Sequence, residues 1–349
     1  LYCKCSQHII NMVKARKYVV KKYFDGIPKI SDYEIVEYEL PSLKKGEILI
    51  KAEWISIDPY IRAYNRMNKI PYDQFSFQVG IVQESLDPNY PVGTRVITHK
   101  GWCDYTIVRA KNGTEKDIPE NILYKLPDLK GLSPSLGIGA LGMPGATAYL
   151  AFLNICKPKK GETVVVTGAA GAVGSIVGQI AKIKGCKVIG FAGSDDKVNW
   201  LERELGFDKA LNYKTVDIKA ALKAAAPNGV DCYFDNVGGE ISSTIMAQMN
   251  KNGRVAVCGS ISAYNADPSE IPKATIIQLP IVLKELKIEG FIIWNWFDRW
   301  TEAFDQLSAW IRSGQLKTPE HITVGFDKLF DAFTGMMAGN NFGKAVVKV

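Results

Sequence analysis

The sequence predicts an α/β chain in two domains, with a doubly wound parallel six-stranded sheet inserted into a β-rich domain that both chain ends complete. Three observations carry this expectation. Val164-Val-Val-Thr-Gly-Ala-Ala-Gly-Ala-Val-Gly-Ser175 runs from an apolar strand through a glycine-punctuated turn into a helical pattern. Residues 139–312 alternate strand-like and helix-like runs, whereas residues 12–138 hold short strand-like runs separated by Gly, Pro, Asn and Asp. Beyond residue 313 the β-rich style returns. The expected division is therefore 12–138 with 313–349 for the β domain and 139–312 for the inserted one, with residues 1–11 as an extension.

The elements follow in order. Strands are expected at Lys17–Lys22, Tyr33–Glu39, Glu47–Ile57, Val79–Glu84, Arg95–Ile97 and Tyr105–Val108, each rich in β-branched or aromatic residues and bounded by turn formers. The parallel sheet takes Thr163–Val166, Lys187–Phe191, Lys209–Leu211, Asp231–Phe234, Arg254–Cys258 and Lys287–Ile293. Its crossover helices are Ser175–Lys184, Lys197–Leu205, Ile218–Ala225 and Glu240–Met249. Trp300–Ser313 is amphipathic, and His321–Val324, a short helix near Phe326–Ala338 and Lys344–Val349 close the chain.

The glycine turn carries the first functional signal. Thr163–Val166 reads as a strand covered on both faces. Gly171 and Gly174 fall where backbone must approach a ligand closely and where helix and strand must pack tightly. Ala169 stands at the first glycine position, so the match is A-x-G-x-x-G. Such a turn aims backbone N–H groups and the positive end of a helix at a phosphate. An NAD site usually ends the second strand on an acid that holds the ribose 2′-hydroxyl. Here that strand ends Phe191-Ala-Gly-Ser194, with Lys197 one turn later. A small uncharged strand end beside a cation suits a 2′-phosphate, so NADPH/NADP is expected rather than NADH. Asp195 and Asp196 read as the cap of the next helix.

Composition narrows the class. The chain has 349 residues, 47% hydrophobic and 23% charged, as in ordinary soluble two-domain proteins. Of the net charge of +7, residues 1–30 supply six units, and no basic stripe interleaved with aromatics remains for nucleic acid. The seven cysteines, at 3, 5, 103, 156, 186, 232 and 258, are scattered and in part within apolar runs. They read as buried thiols of a cytoplasmic protein. No run of 18 apolar residues is present to span a membrane. Residues 1–11 lack the apolar core of a signal peptide, and Met12 reads as a natural start.

Asp58-Pro-Tyr-Ile-Arg62, Gly142-Met-Pro-Gly-Ala-Thr-Ala-Tyr149, Ala170-Gly-Ala-Val-Gly-Ser175, Asn212-Tyr-Lys214, Phe234-Asp-Asn-Val-Gly-Gly239 and Gly259-Ser-Ile-Ser262 occur in that order. From Met12 onward the chain resembles the medium-chain dehydrogenase/reductase superfamily. Within it the motifs are similar to the zinc-independent 15-oxo-prostaglandin 13-reductase / leukotriene B4 12-hydroxydehydrogenase branch, which includes plant alkenal double-bond reductases. The resemblance implies a GroES-like β domain beside a Rossmann domain. No metal is expected. The histidines are His8, His99 and His321, no Cys-x-x-Cys occurs, and Asp58-Pro59 sits where a zinc enzyme would place its first catalytic cysteine.

The implied reaction is hydride transfer from NADPH to the β-carbon of an α,β-unsaturated ketone or aldehyde, with the enolate oxygen stabilised by the protein. The resemblance implies that Lys197, Tyr213 and Ser194 hold the 2′-phosphate, and that Gly171, Ala172, Val173 and Gly174 hold the pyrophosphate. Asn236, the segment Cys258, Gly259, Ser260, Ile261, Ser262 and Tyr264, and Phe291, Ile292 and Ile293 would frame the nicotinamide, with Asn341 reaching in from the other domain. Lys344 reads as a strand residue rather than a phosphate ligand. Tyr264 and Tyr60 are the candidate catalytic residues: each phenol either hydrogen-bonds the enolate oxygen or simply packs in the wall. Ser262–Pro280 reads as a substrate-facing loop. Trp294, Trp296 and Phe297 are alternatively a tunnel for an enone or lipid substrate or ordinary core. The edge strand Lys287–Ile293 would pair with a second copy in a homodimer. A quinone reductase and a non-enzymatic NADPH-binding protein are the competing readings.

Overall fold

Alternation of buried and exposed side chains builds the N-terminal half of the molecule. The computed structural model describes residues 13–109, 122–266 and 275–349. β1 (Lys14–Val20) and β2 (Tyr33–Glu39) pair antiparallel, and β4 (Tyr72–Asp73) adds to the other edge of β1. β3 (Glu47–Ser56), β5 (Gln78–Ser85), β6 (Arg95–Thr98), β7 (Tyr105–Arg109) and β8 (Leu123–Lys125) form most of a seven-stranded sheet. Its remaining strands come from the far end of the chain. β15 (Glu320–Val324) and β16 (Lys344–Lys348) attach through β16 to β3. The four-residue helix α1 (Tyr60–Ala63) follows β3.

Chain 143–156 crosses toward the second sheet as α2 (Met143–Ala146) and a π-wound helix, Thr147–Cys156, which ends on a bond from the Lys157 N–H to the Phe152 carbonyl. The six parallel strands are β9 (Thr163–Thr167), β10 (Lys187–Ala192), β11 (Lys209–Asn212), β12 (Val230–Asp235), β13 (Met249–Val257) and β14 (Lys287–Gly290). Their order, β11-β10-β9-β12-β13-β14, is the doubly wound arrangement that the sequence predicts. Its helices are α3 (Ala172–Ile183), α4 (Asp195–Arg203), α5 (Ile218–Ala225), α6 (Gly239–Met246), α7 (Gln278–Lys284) and α8 (Trp300–Arg312). α9 (Leu329–Met337) returns to the first sheet. Every residue of β9 is buried. Val164 and Val166 join one core and Val165 the other, so a strand with two covered faces needs an unbroken apolar run.

Several expectations need correction. The first strand starts at Lys14 and ends at Val20, because its register with β2 begins at Lys14 opposite Glu39. β4 and β8 were not foreseen, since two or three residues leave no readable period. The edge strand stops at Gly290, and Ile293–Arg299 winds as 3₁₀ turns instead. The loop expected to Pro280 ends in α7. Pro280 is its third residue, where a missing N–H breaks no bond; residues 267–274 of that loop lie outside the described residues. Among the described residues no helix is long and apolar enough to cross a membrane.

Candidate active site

The turn after β9 makes the floor of the site. Gly168, not the Ala169 that the motif aligned with the first glycine, holds the left-handed conformation (φ 60°). A methyl on Gly174 would collide with the Gly168 carbonyl oxygen and the Ala169 backbone, so glycine there sets the approach of α3 to β9. No side chain caps α3, and Gly171, Ala172, Val173 and Gly174 line a cavity of about 1020 Å³ between the two sheets. Uncapped N–H groups facing open space are what an anionic pyrophosphate requires.

At the end of β10 the wall is Gly193, Lys197, Tyr213 and Lys214. A Cβ on Gly193 would lie 3.0 Å from the Tyr213 hydroxyl, so the missing side chain lets the phenol rest on the strand end. Lys197 Nζ donates to the Gly339 carbonyl at 2.7 Å. Burial lowers the Lys197 pKa and the nearby Lys214 adds to the effect; the negative charge of a phosphate placed here would act against both by favouring the ammonium form. The sequence reading overlooked Lys214. Ser194 is not in the wall: its Oγ caps α4 by accepting from the Lys197 N–H at 3.4 Å, and Asp195 and Asp196 form the first turn.

The other end is built by the β12 turn and the loop after β13. Asp235, buried and absent from the expectations, accepts from the Val237 and Gly238 N–H groups at 3.0 and 2.9 Å and from Ser242 Oγ at 2.5 Å. That pins the turn presenting Asn236, whose Nδ2 donates to the Thr167 carbonyl at 2.7 Å. Cys258, Gly259, Ile261, Ser262 and Tyr264 line the cavity, whereas Ser260 does not. The Ser260 N–H donates to the Tyr264 hydroxyl at 3.3 Å, which leaves that hydroxyl's own proton free to donate. Burial raises the Tyr264 pKa, and pushes that of Cys258 up to about 12. Phe291, Ile292, Ile293 and Asn341 also line the cavity; Asn341 Nδ2 is bonded to the Gly343 carbonyl at 2.8 Å. That loop is docked by the Gly343 N–H on the Ala170 carbonyl, 2.8 Å away.

The β domain contributes an aromatic half. Tyr60, Tyr64, Tyr72, Phe75 and His99 line it together with Trp294. Tyr60 OH lies 3.2 Å from His99 Nε2, and burial raises the Tyr60 pKa far above 10 while lowering that of His99 to about 4. Both groups are therefore neutral near pH 7. Of the three residues expected to form a tunnel, only Trp294 reaches the cavity. Trp296 stacks on Phe291 and Phe297 packs on Trp300. Asp58, also in the wall, is ion-paired with buried Lys344 at 3.2 Å, and Lys344 further donates to the Ile57 and Ala345 carbonyls. Among the described residues no group of three or more His, Cys, Asp or Glu is disposed to hold a metal.

Phosphate-ready turn, cation-flanked strand end and closed aromatic half together fit a dinucleotide with a small organic substrate beside it. The fold and site define a medium-chain dehydrogenase/reductase. Residues 16–115 match the family model described as the N-terminal domain of oxidoreductase, and residues 172–309 match the zinc-binding dehydrogenase model. The chain is 46% identical to prostaglandin reductase 1 of Bos taurus over 97% of this chain and 100% of that one. It is 37% identical to the NADP⁺-dependent 2-alkenal reductase of Nicotiana tabacum, over 97% and 98%. The crystal structure of CurA from Vibrio vulnificus in complex with NADPH superimposes with a TM-score of 0.87 at 33% identity, covering 96% and 99% of the two chains. The chain belongs to the prostaglandin reductase branch of this family.

Proposed function

We propose that the protein reduces the C=C bond of α,β-unsaturated ketones and aldehydes with NADPH. The observation that carries this reading is one cavity joining the uncapped α3 turn and Lys197 to an aromatic chamber in which burial keeps the Tyr60 and Tyr264 phenols protonated and His99 neutral. When bound, NADPH supplies a hydride to the substrate β-carbon. Lys197, Lys214 and Tyr213 would hold the 2′-phosphate, the α3 N–H groups the pyrophosphate, and Asn236 with the Cys258–Tyr264 loop the nicotinamide end. Tyr264 donates a hydrogen bond to the carbonyl oxygen as it becomes an enolate oxygen, with Tyr60 as the second donor. The enolate then takes up a proton from solvent at its α-carbon, which completes the two-electron reduction and leaves both phenols protonated. Conjugate reduction suits such a site because the developing charge is delocalised and neutral donors suffice. The related 2-alkenal and (+)-pulegone reductases support this choice of substrate by their names.

The test is oxidation of NADPH and, separately, NADH at 340 nm with 4-hydroxynonenal or a 15-oxo-prostaglandin. Turnover with NADPH and little with NADH is expected. No turnover with enones but turnover with a quinone would overturn the reading in favour of a quinone reductase, and NADPH binding without any turnover would favour a binding protein.

The solution form that fits this surface is a homodimer. β14 ends the parallel sheet, and Ile276, Leu279, Val282 and Leu283 beside it are exposed. Val282→Glu is expected to give a monomer in light scattering; an unchanged mass rules this interface out. Buried unpaired thiols at Cys103, Cys156, Cys186 and Cys232 fit a cytoplasmic location.

A further inference from the structure

Arg62 is 5% exposed, yet among the described residues its acceptors are all neutral. Nε and Nη2 donate to the Gly26 carbonyl at 3.2 and 3.0 Å, and Nε also donates to Asn265 Oδ1 at 2.8 Å. The Phe24 ring lies 5.7 Å from the guanidinium carbon. Burial lowers the Arg62 pKa and Asp25 offsets this only in part from a distance, so a buried charge with no carboxylate in hydrogen-bond reach costs free energy that the surrounding contacts must offset. The geometry that it maintains is informative. Arg62 lies in α1, the turn that carries Tyr60 and leads into Tyr64, and both phenols are in the cavity wall. Asn265 follows Tyr264, which is in the wall from the opposite domain. One hydrogen bond therefore ties the segments bearing the candidate donors across the cleft.

Within its own domain the Tyr264 loop is held at its start, where the Ile261 and Ser262 N–H groups donate to the Asn236 and Val237 carbonyls at 3.3 and 3.2 Å and the Ser260 N–H donates to the Tyr264 hydroxyl at 3.3 Å. Ile261–Ala263 forms one 3₁₀ turn, the Tyr264 and Ala266 N–H groups bond locally to the Ile261 and Ala263 carbonyls, and Ser262 Oγ donates to the Val237 carbonyl at 2.6 Å. Arg62 itself does not line the cavity, so it meets neither reactant. At the other end of the cavity the Lys197 link to Gly339 also spans the two domains, but Lys197 stands in the wall where a bound phosphate would compete for it.

We propose that Arg62, acting through Asn265, is a positioning residue that fixes the reach of the Tyr264 hydroxyl toward the substrate oxygen. The proposal rests on the enone reductase reading. A fork of fixed donors suits this role better than a flexible ammonium, and a donor displaced by a fraction of an ångström loses most of its contribution in the transition state while ground-state binding changes little.

Arg62→Met, Asn265→Ala, their double variant and Asn265→Asp, made in the full chain, test it. With 4-hydroxynonenal and NADPH, each of the first two is expected to lower kcat about tenfold, and the double variant no further, because both remove one link. NADPH affinity, read by its fluorescence, should stay within about twofold. In the cofactor-free protein, amide hydrogen exchange of residues 260–266 should quicken in both. Asn265→Asp keeps an acceptor for the guanidinium and should keep kcat within about threefold. Native kcat in Arg62→Met or Asn265→Ala, additive losses, or unchanged exchange would overturn the role, even if thermal stability fell. Absence of enone turnover by the native protein would instead overturn the functional reading, and this role with it.

Discussion

Two tyrosines and a histidine show how burial assigns chemistry at single positions. Tyr264 accepts from a backbone N–H and retains its proton, because burial raises its pKa above the ordinary phenol range. Tyr264→Phe is expected to lower kcat about 10–100-fold, the worth of one donor to a developing oxyanion, with NADPH binding intact. Turnover that is unchanged across several enones would remove Tyr264 from the mechanism. Since Tyr60 and Tyr264 titrate above pH 10 and His99 at about 4, kcat should show no ionisation from these groups between roughly pH 5.5 and 9. His99 also affects stability. Its folded pKa lies below the unfolded value near 6.5, so the unfolded chain takes up the proton first and stability is lost as pH falls from 6.5 through 4. The loss should approach about 3 kcal/mol. His99→Gln is expected to flatten it in urea titrations at pH 6.5 and 4.5; an equally steep variant would mean that other groups set the acid limit.

At the scale of elements, the β9–α3 joint couples packing to ligand approach. Gly168 supplies the left-handed turn and Gly174 the contact, and the helix start they produce is left without a cap. Gly174→Ala forces backbone apart where no flexible side chain can yield. It should cost about 1–3 kcal/mol of stability and weaken NADPH affinity more than ordinary destabilisation would. Thermal melts with and without NADPH separate the two effects: an equal ligand-induced shift in both proteins would show that the turn tolerates the methyl. The legible elements were those with a long period or an unbroken apolar run, such as β9, β10 and α8. The π-wound segment 147–156 was missed because an apolar stretch buried almost all round has no face to detect. α7 was missed because three prolines in 268–280 suggest a loop, and proline is harmless in a helix's first turn.

For the molecule as a whole, the C-terminal strand fastens the site. Lys344 on β16 neutralises Asp58 at the head of α1, both within the interior, and the Gly343 N–H next to it docks on the Ala170 carbonyl of the glycine turn. Lys344→Met leaves Asp58 as an uncompensated buried charge and should destabilise the protein by about 3–5 kcal/mol. Adding Asp58→Asn should recover most of that loss, because the remaining polar group is neutral. A single variant as stable as the parent in denaturant titrations would show that water reaches Asp58. The two sheets also share one apolar core running from Val79 and Leu136 to Val164, Ile176 and Leu307.

The sequence by itself determined the strand–helix alternation of the parallel sheet, the phosphate turn and the cation at the end of the second strand, because each rests on neighbours within about 35 residues and leaves a local pattern of apolar run, small residue and charge. Most of the site residues that it named line the cavity, since strand ends and the turns after them collect on one side of a doubly wound sheet, whereas most of the β-domain wall went unnamed. Tertiary structure alone decided which named side chains were already committed, as Ser194 is to a cap and Trp296 and Phe297 are to aromatic packing. It alone brought His99 to Tyr60, Asp58 to Lys344 and Arg62 to Asn265. Partners separated by 39, 286 and 203 residues meet only when the β domain folds on itself, as for the first two pairs, or when the two domains close on each other, as for Arg62 and Asn265, and no local pattern encodes either meeting.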